Sequence, residues 1–320
     1  MRTWRLCAVL GLALAGACAM GVLFGSTALP LSEVFSPGIG HYRLGRVLMA
    51  MVAGASLSVS GVIFQALLRN PLAEPYVLGV SSGAGLAAAA TIVLGIATLG
   101  VWTLPAAAFA GAVGTMFLVY TIARGARGAV PVHTLLLSGV VVGSVMGSLL
   151  MFMVSVAPAQ KLHDVMWWLM GSLQISDWNL LWTVSGVVAC GLAVTILFAR
   201  DLNVMVLGEE SAAHLGLHVE HAKKMFIVIA SLMTGSAVAA CGLIGFVGLI
   251  VPHSVRLAIG PDHRRLVPAS ALAGAAFLVL ADTFARSVLP MEIPIGVVTA
   301  FIGGPFFLVL LKRGRGGLQA

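Results

Sequence analysis

Asp282 and Arg286 lie four residues apart in a long apolar segment near the carboxyl end of the chain. This spacing places both side chains on one face of a helix, where they can form an ion pair. A carboxylate at membrane depth can also form the ion site of a proton- or sodium-coupled carrier. Because Asp282 lies near the outer end of its segment, we predict that it orients Arg286, while the carrier alternative stays open.

The longest polar link of the chain carries Glu209 and Glu210, which can begin a short helix that Gly216 ends. Its three histidines have the spacing of one helical face, but Gly216 interrupts that face and no HExxH pattern accompanies it. We therefore predict no metal site in this link. A short, exposed amphipathic helix is better suited to bind another protein.

Motifs for covalent chemistry are missing from the sequence. It contains no GxxxxGK[ST] phosphate loop, no GxGxxG after a strand and no GxSxG. Nothing pairs a nucleophile with a base and an orienting group. The sequence therefore predicts a protein that is not an enzyme and that binds no cofactor itself. If the protein uses ATP, another chain must bind it.

These residues must be positioned by a chain that is mostly apolar. Of its 320 residues, 60% are hydrophobic and only 9% are charged, and the mean hydropathy is +1.06. Soluble domains carry about 25% charged residues. We therefore predict an integral membrane protein. The net charge of +7 does not indicate a nucleic-acid partner, because the basic residues lie in short clusters between apolar runs.

Apolar runs separated by short polar breaks predict an all-α, polytopic membrane protein with about ten helices. The expected spans lie near residues 5–24, 47–68, 78–97, 102–123, 134–155, 179–199, 224–246, 251–259, 267–287 and 296–312. The eighth is too short to cross a membrane, so we expect a partial helix packed inside the protein. No soluble domain fits between them, so residues 1–320 form one membrane domain.

The distribution of lysine and arginine predicts that both termini are cytoplasmic. With this orientation, all but four of the eighteen basic residues lie at or near the cytoplasm, the exceptions being Arg43, Arg46, Lys161 and Arg286. An arginine near a helix end can extend to lipid phosphates at little cost. Alternatively, an external basic patch can receive an acidic partner. Topology alone leaves both explanations open.

Gly139, Gly143 and Gly147 recur at every fourth position and form a smooth stripe along one predicted helix. Such stripes let helices pack closely in lipid, which is the commoner role. The same surface could instead line a pathway for a bulky solute.

Two long stretches of sequence are specific enough to identify a family, together with a short one between them. The first is YRLGRVLMAMVAGASLSVSGVIFQALLRNPLAEPYVLGVSSGAG from Tyr42, and the short one is LGEESAAHLGL from Leu207. The second is CGLIGFVGLIVPHSVRLAIGPDHRRLVPAS from Cys241, continuing through LADTFARSVLPMEIPIGVVTAFIGGPFFLVLLKR to Arg313. In order and spacing they resemble the permease subunit of type II ABC importers, the iron-chelate and cobalamin uptake family. The resemblance implies a homodimer with the pathway at its interface, two cytoplasmic ATP-binding subunits and an external substrate-binding protein.

The resemblance also implies roles for particular residues. Arg43, Arg46 and Arg286 match external arginines that receive acidic residues of the binding protein. Asp282 is expected to orient Arg286, as their spacing predicts. Reversing their charges is then expected to weaken docking while leaving the protein folded. Arginine suits this role because its planar guanidinium group can form two parallel hydrogen bonds to a carboxylate, and the contact is reversible.

Two further regions match the family's gate and its contacts with the ATPase. Asn70, Pro71 and Leu72, in RNPLAEP, match a cytoplasmic gate. A second gate element corresponds to Val132 and His133, where members often have small hydroxyl residues. The cytoplasmic segment 205–220 matches the coupling helices, with contacts to the ATPase expected at Glu209, Glu210, Leu215 and Gly216.

The expected function is that of an ATP-driven importer permease in the bacterial inner membrane. Its substrate is expected to be a ferric chelate, a siderophore first, carried from periplasm to cytoplasm by alternating access. Haem or cobalamin is the alternative substrate, and an ion-coupled secondary carrier is the distant alternative.

Overall fold

The computed structural model describes residues 2–25, 38–125, 129–175 and 177–316, and the chain in these ranges is helical. The first half contains α1 (Arg2–Leu23), α2 (Ile39–Leu67), α3 (Val80–Val93), α4 (Thr103–Ala123), α5 (Val132–Val156) and α6 (Ala159–Leu169). Short 3₁₀ helices at Pro75–Leu78 and Ile96–Leu99 precede α3 and α4.

The second half contains two short helices that lie between long apolar ones. Its helices are α7 (Trp178–Leu197), α8 (Ala199–Val206), α9 (Glu209–His214), α10 (Val219–Cys241), α11 (Val247–Ile259), α12 (His263–Ser287) and α13 (Ile295–Gly316). Asp177 caps α7 and Asp262 caps α12 through bonds to the backbone N–H groups two residues later.

Seven helices in the described part of the chain are long and apolar enough to cross a membrane. They are α1, from Leu6, together with α2, α4, α5, α7, α10 and α12. Three shorter apolar helices accompany them: α3, α11 and the first part of α13. The protein is therefore an all-helical, multi-pass membrane protein, and the expected total of about ten helices, one of them partial, stays a prediction.

The short helix expected near 251–259 is present as α11, but it begins earlier, at Val247. Its 13 residues extend over about 20 Å, which is less than the apolar thickness of a bilayer. Phe246, the residue before the helix, has a φ of 68°, so the backbone is in the left-handed region at the point where α11 begins. The early start lies within the stretch GFVGL, which is apolar throughout and gives no periodic signal.

The helix α2 lies at the centre of the described structure and packs against α12, α10, α11 and α7. Glycines allow the closest approaches. A Cβ atom at Gly54 would overlap the carbonyl of Gly274 in α12, and one at Gly61 would overlap Gly248 in α11. Backbones at this distance gain dispersion energy that larger side chains would prevent.

The predicted glycine stripe on α5 divides into two parts. A Cβ at Gly139 would lie 2.9 Å from the Cα of Leu78, and one at Gly143 would lie 3.4 Å from the Cα of Gly79. Gly147 faces open space, with no atom within 4 Å of the same position. Close packing therefore explains the first two glycines and does not explain the third.

Candidate functional site

A buried cluster of charges joins α2 to α12. Arg46 donates from Nε to Asp282 Oδ1 at 2.9 Å and from Nη2 to the same oxygen at 2.9 Å. Arg286 donates from Nε to Asp282 Oδ2 at 2.9 Å, which confirms the pairing predicted from their spacing. Asp282 thus accepts from two arginines on different helices. The sequence had indicated only Arg286, because Arg46 is 236 residues away in the chain.

Arg286 and Arg43 also donate to carbonyls at the carboxyl end of α1. Arg286 Nη2 donates to the carbonyl of Gly21 at 2.8 Å. Arg43 Nη1 donates to the carbonyls of Leu23 at 3.1 Å and Val22 at 3.3 Å. The last carbonyls of a helix have no partner inside it and carry partial negative charge, so cations stabilise them.

Glu292 forms the exposed edge of the cluster, in the link between α12 and α13. Its carboxylate accepts from Arg46 Nη1 at 2.9 Å and from Gln174 Nε2 at 3.2 Å. Burial raises the pKa of Glu292, but the hydrogen bonds and charge of Arg46 outweigh this effect, so the pKa lies below its ordinary value. Sequence reasoning missed Glu292, since no helical spacing connects it to Arg46.

The three arginines are buried in the structure, and the carboxylate of Glu292 beside them reaches the surface. Arg43, Arg46 and Arg286 are only 4%, 3% and 5% exposed, whereas Glu292 is 41% exposed. The expected span from residue 47 was wrong, because α2 begins at Ile39 and contains both of its arginines. Arginine is tolerated inside this helix because carboxylates and carbonyls satisfy its donors.

Reversing the charge of Arg46 or Arg286 would place like charges against Asp282. The expectation that such variants stay folded therefore does not fit this burial. Substitution by lysine keeps the charge and is a better probe of docking.

The RNPLAEP turn follows the end of α2. Asn70 Oδ1 accepts from the backbone N–H of Leu72 at 3.0 Å, which forms a tight turn around Pro71. Arg69, just before it, has a φ of 48°. Asn70 and Pro71 are exposed, and Leu72 is half-buried. The three predicted gate residues therefore lie together at an exposed turn.

Two residues that sequence reasoning missed anchor this turn to the loop before α11. Glu74 accepts from the backbone N–H of Phe246, and Tyr76 Oη accepts from the N–H of Ile244 at 3.0 Å. Burial raises the pKa of Glu74 above its ordinary value, although the bond from Phe246 opposes the shift. A half-buried carboxylate therefore holds the turn against the loop before α11.

The second predicted gate element lies at the beginning of α5. Val132 is the first residue of the helix and packs half-buried against the core, whereas His133 is exposed. The same helix contacts the 3₁₀ helix Pro75–Leu78 that follows RNPLAEP, through Gly139. The two candidate gate elements therefore belong to segments that pack on each other.

The predicted coupling segment 205–220 consists of the end of α8, the short helix α9 and the start of α10. Gly208 joins α8 to α9 with a φ of 107°, and Gly216 has a φ of 85° after α9, as expected of a residue that ends a helix. Glu210 and Leu215 are exposed, Leu215 by 64%. Glu209 is instead bonded within the chain, to Lys223.

The first short helix of this segment is bonded to the beginning of α12. Asn203 donates from Nδ2 to Asp262 Oδ1 at 2.8 Å and accepts from the N–H of His263 at 2.8 Å. Hydrogen bonds from Arg264 lower the pKa of Asp262 to about 2. The helix α8 is therefore attached to α12, and the segment 205–220 that begins at its end exposes the apolar side chains of Leu207 and Leu215.

Comparison with protein families gives one match over nearly the whole chain. Residues 12–313 match the model of the FecCD transport family. A solved structure described as a metal-chelate-type ABC transporter in an inward-facing conformation is similar to this chain, with a TM-score of 0.87 and 30% sequence identity. The match covers 96% of this chain and 98% of that chain.

Similar curated proteins carry different substrates. The cobalamin import system permease protein BtuC of Halobacterium salinarum is 47% identical over 86% of this chain and 73% of its own. The hemin transport system permease protein HmuU of Yersinia pestis is 40% identical over 86% and 83%. The Fe(3+) dicitrate transport system permease protein FecD of Escherichia coli is 38% identical over 95% and 97%.

The family match and the whole-chain structural likeness agree with the arrangement of apolar helices described above. A transport permease of this kind is not itself catalytic. The chain belongs to the FecCD transport family, and it is the permease subunit of a type II ABC importer.

Proposed function

We propose that this permease moves a ferric chelate, namely a ferric siderophore, from the periplasm to the cytoplasm by alternating access. Support for a ferric chelate comes from the ferric dicitrate permease and from the metal-chelate-type transporter to which the chain is similar. Two ATP-binding subunits would use ATP and Mg²⁺, and an external binding protein would deliver the substrate. The permease itself would lie in the bacterial inner membrane with both termini in the cytoplasm.

Cobalamin is the second candidate substrate, because the relative with 47% identity imports cobalamin. Haem is a third, through the hemin permease. These substrates share a large size and a ring or chelate that encloses a metal. A wide, weakly polar pathway suits all of them, since tight binding within it would retain the cargo.

The pathway is proposed to lie along α5, at an interface between two copies of the chain. Ser144 and Ser148 are exposed on α5, and their hydroxyls are bonded to the carbonyls four residues earlier. Gly147 between them faces open space. Small side chains with satisfied hydroxyls give a smooth surface that neither obstructs a bulky solute nor binds it strongly.

Docking of the binding protein is proposed at the cluster of Arg43, Arg46, Arg286, Asp282 and Glu292. The three arginines and two carboxylates leave the cluster with one net positive charge. An acidic residue of the partner would approach at the exposed edge and replace Glu292 on Arg46. Such an exchange needs no new buried charge, because one carboxylate takes the place of another.

A panel of labelled substrates tests the proposed cargo. Cells with and without this gene would be supplied with ferric siderophores, haem or cobalamin, each at equal concentration. We expect gene-dependent uptake of a ferric siderophore and little gene-dependent uptake of the other two. Gene-dependent uptake of cobalamin or haem alone would overturn the siderophore assignment while leaving the permease function intact.

A further inference from the structure

A buried lysine connects the coupling segment to the beginning of α5. Lys223 lies in the second turn of α10 and is only 3% exposed. Lysine loses much side-chain entropy and hydration on burial, so such a position requires specific partners. Its neighbour Lys224, by contrast, is exposed.

The ammonium group of Lys223 contacts three separate groups. It lies 2.6 Å from Glu220 Oε1 and 3.0 Å from Glu209 Oε2, and it donates to the carbonyl of Val130 at 2.9 Å. Glu220 Oε2 in turn accepts from the backbone N–H of Val130 at 3.1 Å. Both backbone polar groups of Val130 are therefore held by this cluster.

These contacts join three segments that are far apart in the chain. Glu209 is the first residue of α9, and Val130 lies two residues before the start of α5 at Val132. Val130 and Lys223 are separated by 93 residues. The cluster therefore fixes the position of α9 relative to the segment that enters α5.

The charges of the cluster favour a positioning role over a purely stabilising one. Glu209 and Glu220 are 37% and 39% exposed, so their charges remain partly hydrated while the ammonium between them is buried. Apolar residues of similar volume often stabilise a protein as much as a buried ion pair does. The ammonium of Lys223 contacts Glu209, Glu220 and Val130 at once, which fixes one relative placement of the groups that it joins.

We propose that Lys223 transmits the displacement of α9 to the beginning of α5. The inference rests on the proposed function, in which an ATPase subunit moves the coupling segment and α5 borders the pathway. When α9 moves, the bonds of Lys223 to Glu209 and Val130 require the entry of α5 to follow. The glycines at 139 and 143 give α5 a smooth contact on which small shifts are sterically cheap.

The test uses the assembled transporter in proteoliposomes, with its ATPase and binding protein, and measures ATP hydrolysis and uptake in the same vesicles. In Lys223→Met we expect uptake per ATP hydrolysed to fall by about fivefold or more, which is the usual size of a coupling effect. Lys224→Met is the matched control and should leave the ratio unchanged. An unchanged ratio in Lys223→Met would overturn the proposal.

Two further variants distinguish a loss of coupling from a loss of folding. Glu209→Gln keeps the size of a partly exposed side chain and removes its charge, so we expect a smaller loss of coupling in a folded protein. Lys223→Arg restores the cation and should recover part of the ratio. Equal coupling in Lys223→Arg and Lys223→Met would contradict a role for the charge.

Spin labels separate a failure of this inference from a failure of the proposed function. One label replaces the exposed Ala213 in α9, another replaces the exposed Ala129 just before Val130, and each is measured against a label at the exposed His163 on α6. In the assembly with native Lys223 both distances should change when ATP binds, and in Lys223→Met only the distance from position 213 should change. A change at both positions in Lys223→Met would overturn the inference. No change at position 213 with native Lys223 would contradict the coupling role of α9, and the inference with it.

Discussion

Asp282 holds two guanidinium groups that come from different helices, and both of its oxygens are occupied. The arrangement explains how Arg46 and Arg286 can be buried in an apolar protein. Because the two cations lie near each other, the carboxylate between them also reduces their mutual repulsion.

Replacing Asp282 by asparagine should destabilise the protein strongly. The amide carries no charge, so two buried arginines would lose their shared counter-charge, and such losses cost about 3–5 kcal/mol. The expected result is a clearly lower Tm of the purified protein in detergent. Asp164→Asn, at an exposed position on α6, is the matched control and should change the Tm little. Equal effects of the two variants would contradict the account of the cluster.

Glu292 should contribute a pH-dependent part of the stability. Its folded-state pKa lies below the ordinary 4.5, so its contribution is present above that value and is lost as pH falls through the folded pKa. Since the side chain is partly exposed, the contribution should not exceed about 1 kcal/mol. Thermal unfolding of native protein and Glu292→Gln across pH should give a Tm difference that disappears in acid. A constant difference would show that the charge of Glu292 is not involved.

Glu74 should have the opposite pH dependence. Its pKa is raised from 4.5, so the folded protein binds this proton more tightly than the unfolded chain, and stability falls as pH rises through the raised pKa. Glu74→Gln keeps an acceptor for Phe246 and removes the charge. We expect this variant to match the native Tm in acid and to equal or exceed it at neutral pH. A neutral-pH Tm well below that of the native protein would contradict a desolvated carboxylate at this position.

At the scale of helices, glycine positions decide how closely α2 approaches its neighbours. Gly61→Ala would place a methyl group inside the backbone of Gly248, so α2 and α11 would have to separate. Overpacking of this kind costs about 1–3 kcal/mol. Gly186→Ala in α7, where nothing lies within 4 Å, should be neutral or slightly stabilising. Comparable losses of Tm in both variants would refute the close approach as the cause.

The sequence predicted the elements better than the contacts between them. Apolar runs located the long helices, and the four-residue spacing of Asp282 and Arg286 predicted their pair. The start of α2 was placed too late, because arginines normally mark a helix end and here they are neutralised inside the helix. Glu292, Glu74 and Lys223 could not be predicted, since their partners come from distant segments and no periodicity connects them.

At the scale of the whole molecule, the surface of the described chain leaves large apolar side chains uncovered. Phe301 on α13 is 82% exposed, and Leu137 on α5 is 66% exposed. Lipid covers part of such a surface in any membrane protein. The proposed homodimer would cover the remainder where α5 borders the pathway.

Transport by the reconstituted assembly distinguishes an ATP-driven importer from an ion-coupled carrier. Proteoliposomes containing the permease and its ATPase would receive the substrate-loaded binding protein outside, with ATP inside or absent, and with ion gradients present or collapsed. We expect uptake that requires ATP and the binding protein and does not depend on the ion gradients. Uptake that follows an ion gradient without ATP would contradict the importer function.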